Sequence, residues 1–233
     1  IMKQLITLSV LMLMVAMLNA QVEVPKFFGI PVDGTKYEMI SKLKAKGYTW
    51  NSTLECLEGE FNGRDVMIRV VTNNNKVYRI LVRDKYTCNE TDIRIRFNTL
   101  LSQFIKNERY FPDFGASNEP IDEDENISFN ISVNKKRYQA SFIQFDKKIL
   151  ADTILYRNKL EQYLNDRYPE EEIAELRDKL NEDSDFAFQF VSNMYEDWFG
   201  NNSVWFMISE EYGKYRILLF YDNNNNAANG EDL

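Results

Sequence analysis

Asn62-Gly63 stands between two runs of alternating apolar residues, Leu57, Gly59 and Phe61 before it and Val66, Ile68 and Val70 after it. Both turn residues tolerate positive φ. The dipeptide and its period-two flanks therefore commit this stretch to a tight antiparallel hairpin. Asn73-Asn74-Asn75 predicts the next turn, and a third strand follows with Tyr78, Ile80 and Val82 on one face and Val77, Arg79 and Leu81 on the other. A meander this small needs a cover for its apolar face. The cover lies just upstream. Thr35-Lys36-Tyr37-Glu38 has the capping-box form. Met39, Ile40 and Leu43 then share one helical face, with Lys42, Lys44 and Lys46 directed away. Gly47 suits a left-handed helix stop, and Pro31 keeps the helix from starting early.

The run Gly29-Ile30-Pro31-Val32-Asp33-Gly34-Thr35, then Lys46-Gly47-Tyr48, then Gly59-Glu60-Phe61-Asn62-Gly63, resembles a family of exported proteins from Bacteroidetes such as Bacteroides and Prevotella. The ending, Tyr221-Asp222-Asn223 with Ala228-Asn229-Gly230-Glu231-Asp232-Leu233, is similar to that group too. The resemblance covers the first third and the last tenth of the chain. It implies export and no particular activity, because the family has no assigned function.

Residues 1–20 themselves read as a secretory signal peptide. Lys3 precedes an apolar run from Leu5 to Leu18, and Ala20 supplies the small residue before the cut. An uncleaved membrane anchor is the alternative, although the run is shorter than the roughly 20 residues a span needs. Export places the protein in the periplasm or outside the cell. The mature chain, from Gln21, is long enough for a sizeable core. Net charge is −8, and about −9 once Lys3 is removed. That balance argues against a nucleic-acid partner and against resting on an anionic membrane surface. Two cysteines, Cys56 and Cys88, flank the meander, and in an exported protein they are candidates for one disulfide. Five glycosylation-type sequons, at Asn51, Asn89, Asn126, Asn130 and Asn201, read as by-products of an Asn-rich composition.

Downstream, a second helix is expected over 87–110, capped by Asn89 or Thr91. Its apolar stripe is Ile93, Phe97, Leu100, Leu101 and Phe104, while Arg94, Arg96 and Lys106 face solvent. An acidic loop follows. Ile127, Phe129, Ile131 and Val133 then alternate as in a half-buried strand, with Asn134-Lys135 turning into a return strand through Tyr138, Ala140 and Phe142. Residues 152–180 read as two helices, the second started by Pro169. A third, over 184–199, competes with a strand reading because Phe186, Phe188 and Phe190 alternate. A last hairpin turns at Tyr212-Gly213, and 223–233 read as a flexible tail.

Helices followed by antiparallel strands thus recur three times. The fold class is α+β, with helices on an antiparallel sheet in repeated helix-plus-meander units. This element order is similar to beta-lactamase-inhibitor-like and outer-membrane-assembly lipoprotein modules. Residues 21–222 form one domain, with two subdomains, 21–145 and 146–222, as the alternative.

The chain contains no His. Ser-His-Asp and Cys-His nucleophiles are thereby excluded, as are imidazole-ligated zinc sites. No phosphate-cradling glycine motif occurs. Asp122–Val133 and Asp222–Leu233 each begin with the ligand spacing of a calcium loop but lack Gly at the sixth position and Glu at the twelfth. No catalytic, metal or cofactor residue is therefore assigned. Carboxylates beside Trp remain. Glu196, Asp197 and Trp198, with Trp205, form the one cluster suggestive of carbohydrate chemistry, with core packing of the aromatics as the competing reading. The expectation is a non-enzymatic exported protein that binds another exported or envelope protein. The alternative is a carbohydrate-active or carbohydrate-binding protein.

Overall fold

The computed structural model describes residues 24–113, 115–144 and 153–228. The signal-peptide reading of 1–20 and the last five residues of the tail lie outside the described residues. The chain opens with a miniature hairpin, β1 (Lys26–Phe27) and β2 (Ile30–Pro31), and helix α1 (Lys36–Ala45). Strands β3 (Thr49–Asn51), β4 (Cys56–Phe61), β5 (Arg64–Asn73) and β6 (Lys76–Asp84) follow. Then come α2 (Glu90–Lys106), β7 (Tyr110–Pro112), a short helix α3 (Ile127–Ser132) and β8 (Gln139–Gln144). Helices α4 (Thr153–Arg167), α5 (Glu170–Glu182) and α6 (Ser184–Phe199) precede the final hairpin, β9 (Asn202–Glu211) and β10 (Lys214–Asn223). The fold is α+β, built on one eight-stranded antiparallel sheet ordered β3-β4-β5-β6-β10-β9-β8-β7.

The local signals operate as their chemistry requires. Thr35 caps α1 in a capping box with Glu38. Asn62-Gly63, Asn74-Asn75 and Tyr212-Gly213 all have positive φ at both turn positions, the mirror-image geometry that matches strand twist. Met39 and Leu43 of α1 and the full stripe of α2 are buried on one face of the sheet, against Val66, Ile68, Ile80, Val82, Phe206, Ile217 and Leu219. Phe104, Phe142 and Phe206 stack over β8 and β9, toward the β7 edge of the sheet. Helices α4–α6 have a separate small core of Tyr163, Leu164, Ile173, Phe190 and Met194.

Several expectations are corrected. Residues 127–132 are helical, not a strand. The Asn126 side chain accepts from the Phe129 N–H at 2.8 Å and nucleates the turn. Ile127 and Ile131 pack at helical i,i+4 spacing, and Phe129 and Val133 are exposed. A four-residue period satisfies both helix and strand patterns, so the cap decides. A register shift at Val71/Thr72 turns Val77 into the core and leaves Tyr78 half-buried, the reverse of the simple alternation. Arg96 is buried, not solvent-facing, and pairs with Asp84 at 3.3 Å. Pro169 stands at the N-cap of α5, one position before the first helical residue. The 184–199 segment is a helix.

The tail reading fails for 223–226. Asn223 Nδ2 donates to the Val32 carbonyl at 2.8 Å, and Asn226 Nδ2 donates to Asp33 Oδ1 and the Val77 carbonyl at 2.8 and 2.9 Å. A division at residue 145 does not describe the sheet either, because β9 and β10 lie between β6 and β8.

Tyr48 lies flat across Gly59, and its hydroxyl donates to the Glu60 carbonyl at 2.9 Å. A Cβ at Gly59 would sit 2.6 Å from the Tyr48 ring. Gly59→Ala is expected to cost about 1–3 kcal/mol through this overpacking, read as a lowered urea midpoint at unchanged m-value.

Glu125 joins α3 to β8. It accepts from Lys136, from the Tyr138 hydroxyl at 2.6 Å and from Asn130 Nδ2 at 3.1 Å. The Lys136 bond first, then the Tyr138 bond, holds its carboxyl below its ordinary value. Burial, then the Glu125 bond, pushes the Tyr138 phenol up to about 12. A depressed folded value means stability present above the unfolded pKa of about 4.3 and lost as pH falls through the folded value. Glu125→Gln should therefore destabilise most at neutral pH, with the gap to the parent closing in acid. Urea titrations across this range check it, and a gap independent of pH would refute it.

Candidate functional site

Strands β5, β6, β10 and β9 place alternate side chains on the face opposite α1 and α2. Register defines the rows. Leu81 lies opposite Phe220, which lies opposite Trp205. Arg83 lies opposite Leu218, which lies opposite Met207. Arg79 lies opposite Asp222. None of these residues belongs to the main core. Leu81, Leu218, Trp205 and Met207 are each half-buried and together form an apolar band across three strands.

One end of the band is locked by a charged clamp. Arg79 grips Asp222 with two parallel bonds, Nε–Oδ1 at 2.6 Å and Nη2–Oδ2 at 2.7 Å. Trp205 Nε1 donates to the same Asp222 Oδ2 at 2.9 Å. The Trp205 ring stacks on Phe220 at 3.9 Å between centroids, and the Arg79 guanidinium lies 5.0 Å from the Phe220 centroid. The bond to Asp222 raises the Arg79 pKa above its ordinary value. Both oxygens of Asp222 are engaged and the residue is 4% exposed, so this carboxylate anchors a rigid Trp and is not poised as a base.

The other end of the band opens into a groove of about 330 Å³ with Met67, Leu81 and Leu218 in its wall and Arg69, Arg83 and Arg216 around it. A second concavity, of about 310 Å³, lies at the edge of the opposite face, lined by Phe28, Phe61, Phe104, Tyr110 and the basic Lys26 and Arg109. The Tyr110 and Tyr221 hydroxyls meet beside it at 3.3 Å, and Gln144 Nε2 donates to the Tyr110 hydroxyl at 3.1 Å.

Of the sequence-selected residues, Asp197 and Trp205 have different partners. Asp197 accepts from the Tyr163 hydroxyl at 2.8 Å and pairs with Arg167 at 3.0 Å, within α4 and α6. Trp205 instead engages β10. The side chains of Glu196 and Trp198 lie outside the described residues. Both cysteines are free thiols, and Cys56 is buried. Cys88 bridges to Tyr215 of β10, while Cys56 opens β4. Cys88 thus lies in line with β6, two strand spacings from β4, about 10 Å at ~4.8 Å per strand, against a Cα–Cα limit of about 7 Å for a disulfide. Leu57, next to Cys56, shares a row with Leu219, well along β10 from Tyr215, which separates the two further. The Cys56–Cys88 pairing is therefore corrected. Burial raises both thiol pKa values. Among the described residues no group of three metal-ligating side chains converges, and no helix is long and apolar enough to cross a membrane.

Sequence reasoning missed Arg79–Asp222 and the arginine groove. The signal was present in Arg79-x-Leu81-x-Arg83, where charge and apolarity alternate on the outward face of one strand. Arg79→Leu should destabilise by about 2–3 kcal/mol, somewhat below the loss for a wholly buried pair, because the Arg79 side chain keeps 31% exposure. The double substitution Arg79→Leu with Asp222→Asn should recover much of this, since Asn retains an acceptor for Trp205 without a stranded charge. Equilibrium unfolding of Arg79→Leu, Asp222→Asn and the double variant checks the coupling.

No family model matches the chain, and neither a curated protein nor a solved structure matches it.

Proposed function

We propose that this is an exported, non-enzymatic protein that binds another exported or envelope protein through the open face of its sheet. The observation that carries the reading is the asymmetry of the sheet. One face is sealed by α1 and α2, and the other carries the half-buried band of Leu81, Leu218, Trp205 and Met207. Antiparallel sheets tolerate one wet face when that face is polar. An apolar row there, held rigid by the Arg79–Asp222–Trp205 clamp, suits an interface centre, where aromatic and Met side chains are enriched. Export rests on the character of residues 1–20 and on the resemblance of Gly29–Thr35 to exported Bacteroidetes proteins. The absence of His from the chain supports a binding role over acid–base or nucleophilic chemistry.

The test is affinity capture from envelope and secreted fractions with residues 21–233 as bait, with cross-linking and mass spectrometry. Parent protein is compared with Leu218→Arg and, as a control on an exposed position of α1, Tyr37→Lys. The expected result is one stoichiometric protein, retained by Tyr37→Lys and lost, at least tenfold, with Leu218→Arg. Capture unchanged by Leu218→Arg would rule this face out. Retention of polysaccharide without protein would replace the reading with carbohydrate binding.

A further inference from the structure

Arg69, Arg83 and Arg216 lie on one diagonal of the open face. Arg69 is opposite Leu81, two residues from Arg83 on β6, and Arg216 is two residues from Leu218, the partner of Arg83 on β10. Diagonal neighbours across adjacent strands lie about 7–8 Å apart, within reach of arginine side chains. Three cations therefore converge over the groove formed with Met67, Leu81 and Leu218, whose rim also holds Ser209, Glu210 and Glu211. Their neutralisation is incomplete. Arg216 is held by Glu211 at 2.5 Å, from the strand end before the Tyr212-Gly213 turn, and its buried Nε has no partner among the described residues. Glu210 is turned to the Gly213 N–H at 2.5 Å. Arg83 Nη2 meets the Met67 sulfur at 3.1 Å, and among the described residues neither Arg83 nor Arg69 has a carboxylate partner. Burial first, then Arg216 and Arg69, lowers the Arg83 pKa, and Glu211 offsets part of that shift. Arg83 and Arg216 are both half-buried, and Arg69 is exposed.

We propose that this diagonal seats a carboxylate side chain, Asp or Glu, of an extended partner segment whose neighbouring apolar side chain lies on the Leu218–Met207–Trp205 band. The inference rests on the protein-binding reading above and names the chemistry of the partner. The occupant is argued from charge complementarity. A chain of net charge −8 gathers three arginines at one groove, where guanidinium forks match a carboxylate in bidentate geometry. The apolar wall continuous with the band favours a peptide over a free oxyanion, because a strand places residues i and i+2 on one face and so delivers an acid and an apolar side chain together.

The test is an NMR titration of residues 21–233 that follows backbone amides and arginine Nε–Hε signals. The probes are acetyl-Thr-Glu-Thr-Leu-Thr-amide, the same peptide with Gln for Glu, sodium sulfate and sodium phosphate. The Glu peptide should shift the Arg83 and Arg216 signals saturably, with at least tenfold higher affinity than the Gln peptide. Arg83→Met should abolish that difference. It should also unfold at a urea concentration no lower than the parent, since it removes a like charge from between two others. Equal responses to the two peptides, or none at the arginines, overturn the carboxylate seat even where Leu218→Arg still abolishes partner capture. Saturable sulfate or phosphate binding at the arginines without peptide discrimination overturns it in favour of a free oxyanion. Discrimination at the arginines with capture untouched by Leu218→Arg sinks the protein-binding reading alone.

Discussion

The structure depends on the pairing of β10 with β6. It is the seam between a meander complete by residue 84 and a hairpin that begins at residue 202. Without it the N-terminal strands have a long unpaired edge, and the apolar stripe of α2 has only part of its counterpart. With it, Ile80 and Val82 continue into Ile217 and Leu219 and then Phe206, and α2 is buried along its length. The cost is a loop closure of more than a hundred residues, whose chain entropy the contacts of the seam must overcome.

The same seam creates the open face. Arg79 and Asp222 are 143 residues apart in the chain and directly opposite across β6 and β10. Their two-bond pairing fixes the indole of Trp205, which in turn covers Phe220. One clamp thus serves stability and leaves a rigid aromatic edge beside Met207 and Leu218. A few residues farther along the same strands, Arg83 is placed between Arg69 and Arg216 with a thioether as its neighbour. Local conflict of this kind, tolerated within an otherwise well-satisfied sheet, is expected at functional or strained positions.

Much of the fold was legible in residue order. The capping box at Thr35, the turns at Asn62-Gly63 and Tyr212-Gly213, and the stripe of α2 are short-range features whose physics is complete within a few residues. Errors fell where a short-range pattern was degenerate. Ile127 and Ile131 fit both periods until the Asn126 cap chose the helix. Arg96 looked solvent-facing until Asp84 arrived from β6. The asparagines at 223–226 looked like a loose tail, yet they bond the segment after β2 and the β5–β6 turn. Of the candidate site, Trp205 was legible as an aromatic of interest. Its partners were not, because nothing near it in the chain specifies Asp222 or Arg79.

Turns, helix caps and the α+β class could be read from residue order alone, as could the lack of His in the chain. These depend on φ preferences, side-chain-to-backbone bonds and functional-group inventory, all properties of single residues or close neighbours. Long-range packing was needed to bring β10 into the middle of the sheet, to keep Cys56 and Cys88 apart, and to set three arginines on one diagonal. Those outcomes depend on strand order and register, where a slip of one residue sends every side chain to the other face.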